Sequence, residues 1–280
     1  MKYIDNKPEY IVLYATTDCN HKCSHCFLGH SMNWDPDELE KIAEYFSLKC
    51  LVHINGAEPL LNLRYLKAYK AAKQKFIFSN GLVFLKDDVE KTLFALRENG
   101  ITEVRLSNHF QASSTLNSVK PNLVESVAKL LISNGFEVHY NSTVTSENYR
   151  NIEENCELAY KIGVKRIKFF PLKSIGRASN MTDLGLTFDE MKVFYKKLQE
   201  VRKHYDISDF SIKVSGDLAG ISDKFTCTYG NHSYAITPDK QIYGCVYSIS
   251  NLPPIGKLLD DCTIMIDNGI SHDCKKCLLV

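Results

Sequence analysis

The 280-residue sequence predicts an α/β fold organised on a parallel sheet. Two observations carry that expectation. Short apolar segments alternate with helical periodicity up to about residue 205, and the links between them are short, as in strand–helix units laid side by side. Six such units are present, two fewer than a closed (β/α)8 barrel needs, so an open (β/α)6 partial barrel is expected. A third observation is the loss of helical periodicity beyond that point, where a small β-rich C-terminal region begins. The expected division is 1–205 for the barrel and 206–280 for the appended domain.

The first unit starts with Tyr10-Ile11-Val12-Leu13-Tyr14-Ala15, an apolar run that reads as a short buried strand. Thr16-Thr17-Asp18 then leads into a loop. Asp35-Pro36-Asp37-Glu38 opens the first helix, with proline and acids in the first turn, where unpaired N–H groups and the helix dipole favour them. Residues 51–55 form the second strand and 63–75 the helix behind it. The third strand, 76–79, ends in an Asn80-Gly81 turn before a helix over 87–98. Strands at 103–107, 137–143 and 164–170 follow, with helices at 123–134, 152–162 and 187–204.

Hydrophobic residues make up 44% of the chain, ordinary for a globular protein with a substantial core. A net charge of +1 without a long basic run argues against nucleic acid or an anionic membrane as partner. The first residues lack the apolar stretch of a signal peptide and no 18-residue apolar run follows, so the expected compartment is the cytoplasm. Ten cysteines in that setting argue for metal or redox chemistry, not disulfides.

Three of those cysteines, Cys19, Cys23 and Cys26, share the loop after the first strand at C-x3-C-x2-C spacing. Three thiolates leave one iron of a [4Fe–4S] cube without a protein ligand, whereas structural zinc wants four. A fourth ligand from His21, His25 or His30 would instead make the loop a zinc knuckle. With the aromatic Phe27 directly after the third cysteine, the loop resembles the signature of the radical S-adenosylmethionine (SAM) enzymes. That resemblance implies a TIM-like (β/α)6 partial barrel. It also implies that the three cysteines hold a [4Fe–4S] cluster whose open iron is chelated by SAM. One electron then cleaves SAM to methionine and a 5′-deoxyadenosyl radical, which takes a hydrogen atom from the substrate.

The resemblance further implies SAM contacts at the carboxyl ends of the strands, where ligands sit in such sheets. Gly56-Ala57-Glu58-Pro59 resembles the Gly-Gly-Glu-Pro segment that holds the SAM amino group, with alanine in place of the second glycine. Ser79-Asn80-Gly81 resembles the Thr-Asn-Gly turn near SAM. Ser107, Asn108, Asn141 and Ser142 stand where the family places polar groups for the ribose and carboxylate. Pro171-Leu172 and Gly176-Arg177-Ala178 resemble the segment that supplies adenine contacts and a basic side chain, and Phe27 is expected beside the adenine. As plain sequence each of these is also an ordinary turn or a solvated polar group. His109 and Tyr140 receive no role.

In the tail, Cys227, Cys245, Cys274 and Cys277 are spread around a hairpin expected at Pro238-Asp239. Four thiols can close one tetrahedral site, and the spacing does not separate zinc from a fully ligated [4Fe–4S] cluster. Behind a radical SAM core the tail resembles the Twitch domain, the shortened relative of the SPASM domain, which implies one auxiliary [4Fe–4S] cluster. Cys50 and Cys156 read as inert buried thiols. Cys262 is a candidate for returning a hydrogen atom to a substrate radical, as radical epimerases do.

For function, the resemblance implies carbon-centred oxidation or epimerisation in natural-product biosynthesis, with a flavodoxin or ferredoxin as electron donor. The alternative is a ribosomal-peptide maturase that makes an epimerised residue or a thioether or carbon–carbon crosslink. Residues 167–178 are of a kind met in peptide-modifying members, while the early position of Cys19 leaves no room ahead of it for a leader-peptide-binding domain. The substrate is thus a small molecule or a peptide. A zinc-bound, non-catalytic scaffold is the reading from another class, and the Glu58 segment speaks against it.

Overall fold

The computed structural model describes residues 2–3, 8–28, 31–215 and 232–267. After β1 (Lys2–Tyr3) the expected alternation runs as β2 (Tyr10–Tyr14), α1 (Pro36–Ser47), β3 (Leu51–Asn55), α2 (Leu66–Ala71), β4 (Phe76–Ser79), α3 (Val89–Glu98) and β5 (Glu103–Ser107). It continues through α4 (Pro121–Ser133), β6 (Glu137–Val144), α5 (Ile152–Ile162), β7 (Arg166–Pro171), α6 (Phe188–Arg202) and β8 (Ser211–Val214). The tail supplies β9 (Ser233–Ile236), β10 (Gln241–Tyr243), β11 (Gly256–Leu258) and β12 (Ile264–Ile266).

Local chemistry accounts for the helix ends. Asp35 caps α1 by accepting from the Asp37 and Glu38 amides at 3.0 and 3.1 Å, with Pro36 at the first helical position. Thr187 and Glu190 form a reciprocal capping box at the start of α6. The helix expected over 63–75 is shorter than the periodicity suggested. Its first turn, Leu63–Tyr65, is a 3-10 turn, and α2 ends at Ala71. The reason is Gln74, whose buried side chain leaves the helical path to bond the amide and carbonyl of Ile54 and the carbonyl of Phe76.

That side chain also closes a seam. β2 and β3 pair in parallel in one sheet, β4 to β8 pair in parallel in a second, and no backbone ladder joins β3 to β4 among the described residues. Gln74 supplies the missing hydrogen bonds at 2.7–3.0 Å. Such bonds keep buried backbone groups satisfied where a ladder is interrupted.

β8 lies beyond the boundary expected at residue 205 yet pairs with β7 in parallel, so the barrel sheet runs to Val214. The expected hairpin forms as β9 and β10 around Pro238-Asp239. β9 also adds in parallel to β2, and β1 pairs with β12, which stitches the described tail to the start of the barrel.

Along β4 to β7 the residues of one face, Ile77, Val104, Leu106, Val138, Ile167 and Phe169, are fully buried in the main core with residues of the helices, as Phe169 against Phe194 shows. The alternate residues include the charged or polar Glu103, Arg105, His139, Arg166 and Lys168 beside the half-buried rings of Phe76, Phe78 and Phe170. No helix among the described residues is long and apolar enough to cross a membrane.

Candidate functional site

The cysteine loop leaves the carboxyl end of β2 and is held from three sides. From β3, the Ala57 amide donates to the Thr16 carbonyl and the Glu58 amide to the Asp18 carbonyl, both at 3.0 Å. Gly56 allows this close approach, since a Cβ would stand 3.2 Å from the Thr16 oxygen, tighter than an ordinary contact. From the turn after β5, the Leu116 carbonyl accepts from the Ser24 amide at 2.8 Å, and Asn117 bonds both Lys22 and His21. From the segment after β7, Arg177 donates its Nε to the Cys23 carbonyl at 2.9 Å and its amide to the Cys26 carbonyl at 3.0 Å. Gly176, at φ +58°, lies so close to Phe27 that a Cβ would come within 2.5 Å of its Cα.

The three thiols are half-buried and unpaired by disulfides. Burial pushes Cys23 up to about 12, and the neighbouring Cys26 and Cys19 sulfurs push the same way. Thiolates crowded like this need a cationic centre among them. Among the described residues, the ligand-type side chains with donor atoms all within 4.8 Å of one another are Glu103, Glu137 and His139, on β5 and β6. His21 bonds the Asn117 carbonyl, His25 stacks edge-on against His109, and His30 lies outside the described residues.

Glu58 is fully buried at the seam between β3 and β4. Its Oε2 accepts from the Asn80 amide at 2.7 Å and the Ser79 hydroxyl at 3.2 Å. Its Oε1 has no partner. Burial raises the carboxyl to about 7, against the pull of those hydrogen bonds. Asn80 in turn reaches Cys19 Sγ at 3.4 Å and Asn20 Oδ1 at 2.8 Å, which ties the acid to the cysteine loop through one residue. A buried carboxylate oxygen left open beside a thiol cluster fits a cationic amine.

No protein-family model matches the chain. GTP 3′,8-cyclase of Nautilia profundicola is 25% identical over 140 residues, which span 45% of this chain and 40% of that protein. SuiB of Streptococcus suis, solved bound to S-adenosylmethionine, superposes with a TM-score of 0.70 at 17% identity, covering 88% of this chain and 62% of SuiB. Native anSMEcpe with bound AdoMet and Cp18Cys peptide superposes with a TM-score of 0.67 at 16% identity, covering 97% of this chain and 88% of the other. The chain shares the fold of SuiB and anSMEcpe. This bears out the partial barrel and the resemblance drawn from the cysteine loop. The chain spans 40% of the length of the curated relative and 62% of SuiB.

Within this fold, Cys19, Cys23, Cys26, Phe27, Gly56, Ala57, Glu58, Ser79, Asn80 and Arg177 are joined at one end of the sheet by the contacts above. Leu172 is buried there, its amide on the Val144 carbonyl. Ser107, the last residue of β5, pairs in register with Asn141 in the middle of β6. Arg177 acts on the loop backbone, a task its sequence context did not suggest. Cys262 lies elsewhere, at φ +65° between β11 and β12, in a cleft with Asp35, Asp37, Glu38 and Lys41 of the α1 end. Of the four tail cysteines only Cys245 falls among the described residues, half-buried at the end of β10; Cys227, Cys274 and Cys277 lie outside them.

Sequence reasoning missed Tyr247, whose ring meets Phe27 edge-on at 5.4 Å, and the Leu116-Asn117 turn. Nothing local marks either one. It also missed a row of charged residues on the inner face of the strands. There a signal existed: Arg105, His139, Lys168 and Lys213 alternate with apolar residues in strands of a parallel sheet, which usually read as unbroken apolar runs.

Proposed function

We propose that the chain is a radical SAM enzyme that reductively cleaves SAM and takes a hydrogen atom from its substrate, for carbon-centred oxidation or epimerisation. The observation that carries this reading is the fully buried Glu58 with one oxygen open, tied through Asn80 to a loop of three unpaired thiols. The residues fit the groups the fold implies. Cys19, Cys23 and Cys26 would ligate a [4Fe–4S] cluster, and Glu58 Oε1 would accept from the SAM amine. When bound, the cluster supplies the electron that splits SAM into methionine and a 5′-deoxyadenosyl radical.

Around that chemistry the chain positions and encloses. Glu58, near half-ionised at pH 7, gives up its proton when a cationic amine arrives at Oε1. Arg177 and the Asn117 turn fix the loop backbone that carries the thiols. Phe27 and Tyr247 give an apolar wall at the loop's exit, where an adenine ring would stack. Cys245, with Cys227, Cys274 and Cys277, would ligate one auxiliary [4Fe–4S] cluster able to accept an electron from an oxidised substrate. A flavodoxin or ferredoxin would deliver the first electron. A peptide substrate is the second reading, favoured by the solved structures of SuiB with the precursor peptide SuiA and of anSMEcpe with Cp18Cys peptide.

The test is an anaerobic iron and sulfide count with a 5′-deoxyadenosine assay, on wild type and on the triple variant Cys19→Ala/Cys23→Ala/Cys26→Ala. About eight irons falling to about four, with 5′-deoxyadenosine lost, is the expected result. About four irons plus one zinc in wild type would remove the auxiliary electron acceptor. A colourless, zinc-loaded protein that leaves SAM intact would overturn the reading.

A further inference from the structure

The inner face of the second sheet is laid out in layers that follow from its register. Phe76, Glu103 and Glu137 are paired across β4, β5 and β6. One layer higher stand Phe78, Arg105, His139, Arg166 and Ser211, across β4 to β8. The next is Ser107, Asn141, Lys168 and Lys213. Arg105, His139, Asn141, Arg166, Lys168 and Lys213 line one cavity of about 240 Å³. We propose that this cavity binds the substrate through an anionic group, a phosphate or a carboxylate, held by Arg105, Arg166, Lys168 and Lys213. The proposal rests on the enzymatic reading above, for which it names a substrate class.

The charge distribution carries it. The lowest layer holds both carboxylates, and both are already engaged. Glu103 meets Arg105 and His139, and Glu137 meets the other nitrogen of His139. Burial opposes ionisation of Glu103, but the hydrogen bonds and charges of His139 and Arg105 prevail and hold it down at about 2. A metal ion at these three side chains would have to displace Arg105, so the cluster is complete without one.

Above it the cations outnumber the anions. Arg166 bonds the Ser211 hydroxyl at 2.9 Å, and neither it, Lys168 nor Lys213 meets a carboxylate among the described residues. Lys168 and Lys213 are directly opposed across β7 and β8, an arrangement that destabilises a sheet unless a counter-charge sits between. Burial, then Arg105 and Arg166, lowers the affinity of Lys168 for its proton, which a bound anion would restore.

The donors are also pre-set. The Arg105 guanidinium lies over the Phe76 ring at 3.5 Å, and the Lys168 ammonium stands 5.0 Å from the Phe170 ring centre. Two planar guanidinium groups and two ammonium groups around a small cavity match the several acceptor oxygens of a phosphate or carboxylate.

The experiment is a titration of the full chain, cluster-loaded and without SAM or reductant, with inorganic phosphate and separately with succinate. Chloride at equal ionic strength is the reference, and calorimetry and the thermal midpoint are the readouts. Wild type is expected to bind at least one of the two anions, and the one it prefers assigns the source of the charge. Lys168→Gln and Arg166→Gln should each weaken binding tenfold or more. Lys168→Arg, which keeps the charge, should stay within about threefold if the site is electrostatic. Lys165→Gln, at an exposed lysine just before the same strand, should bind as wild type does. If a glutamine variant fails to fold, Lys213→Gln, at an exposed position, gives the same reading. Titrations indistinguishable from chloride, or variants that bind like wild type, overturn the proposal. A protein that binds phosphate but never cleaves SAM overturns the enzymatic reading alone. A protein that cleaves SAM and ignores both anions overturns this one alone.

Discussion

The two faces of β5 to β8 come from the same residues in alternation and differ in almost everything else. On the outer face Val104, Leu106, Val138, Ile167 and Phe169 are excluded from water, in one core with residues of the helices. On the inner face Arg105, His139, Lys168 and Lys213 stand between them in sequence and line an open cavity. Apolar burial of the first kind drives folding and is dense enough to feel the loss of single methyl groups. A row of like charges does nothing for folding and is tolerated because the outer face supplies the stability. The difference teaches that stability and recognition are separated here by one residue of register, not by a domain boundary.

Adjacent substitutions on β7 test that separation most directly. Phe169→Ala removes a fully buried ring packed on Phe194 and should lower stability by about 3–5 kcal/mol, read from urea unfolding. A loss below about 1 kcal/mol would mean that the outer face is not the structural one.

The Glu58 seam sharpens the comparison, because it is a charged group on the buried side of the divide. Its carboxyl lies at about 7 in the folded chain against a reference of 4.5. Between those values the folded chain keeps a proton that the unfolded chain has released, so this group's contribution to stability falls as pH rises. Without SAM, wild type should lose about 3 kcal/mol relative to Glu58→Gln between pH 4.5 and pH 7. Buried His25 and His53, both lowered to about 4 by burial, act with the opposite sign but are common to both proteins and cancel in the comparison. Parallel pH curves for the two proteins would show that Glu58 is solvated.

The smallest effect is expected one residue from the largest. Lys168→Ala in anion-free buffer should change stability by less than about 0.5 kcal/mol, in the stabilising direction, since it relieves the opposition to Lys213. A loss comparable to that of Phe169→Ala would make Lys168 a structural residue and erase the contrast between the faces.

Much of this was legible in the residues themselves. β3 and β5 fall where alternation and apolar runs place them, as does α5, and Asp35 and Thr187 cap helices as their types predict. These features are local, with each signal contained within a few residues of the element it specifies. The cysteine loop was legible for the same reason, since three ligands within eight residues carry their own spacing.

What the sequence by itself determined is therefore the order of elements, the fold class and the position of a thiol site after the first strand. Tertiary structure alone decided the rest. Gln74 closes the seam that no ladder closes, Glu58 is left with an open oxygen, and Arg177 grips the loop some 154 residues before it in the chain. β9 joins β2 across more than two hundred residues, and four cations from three strands meet around one cavity. The physical reason is common to all of these. Each depends on a distance between residues remote in sequence, and such distances exist only once the strands have chosen their neighbours and their register.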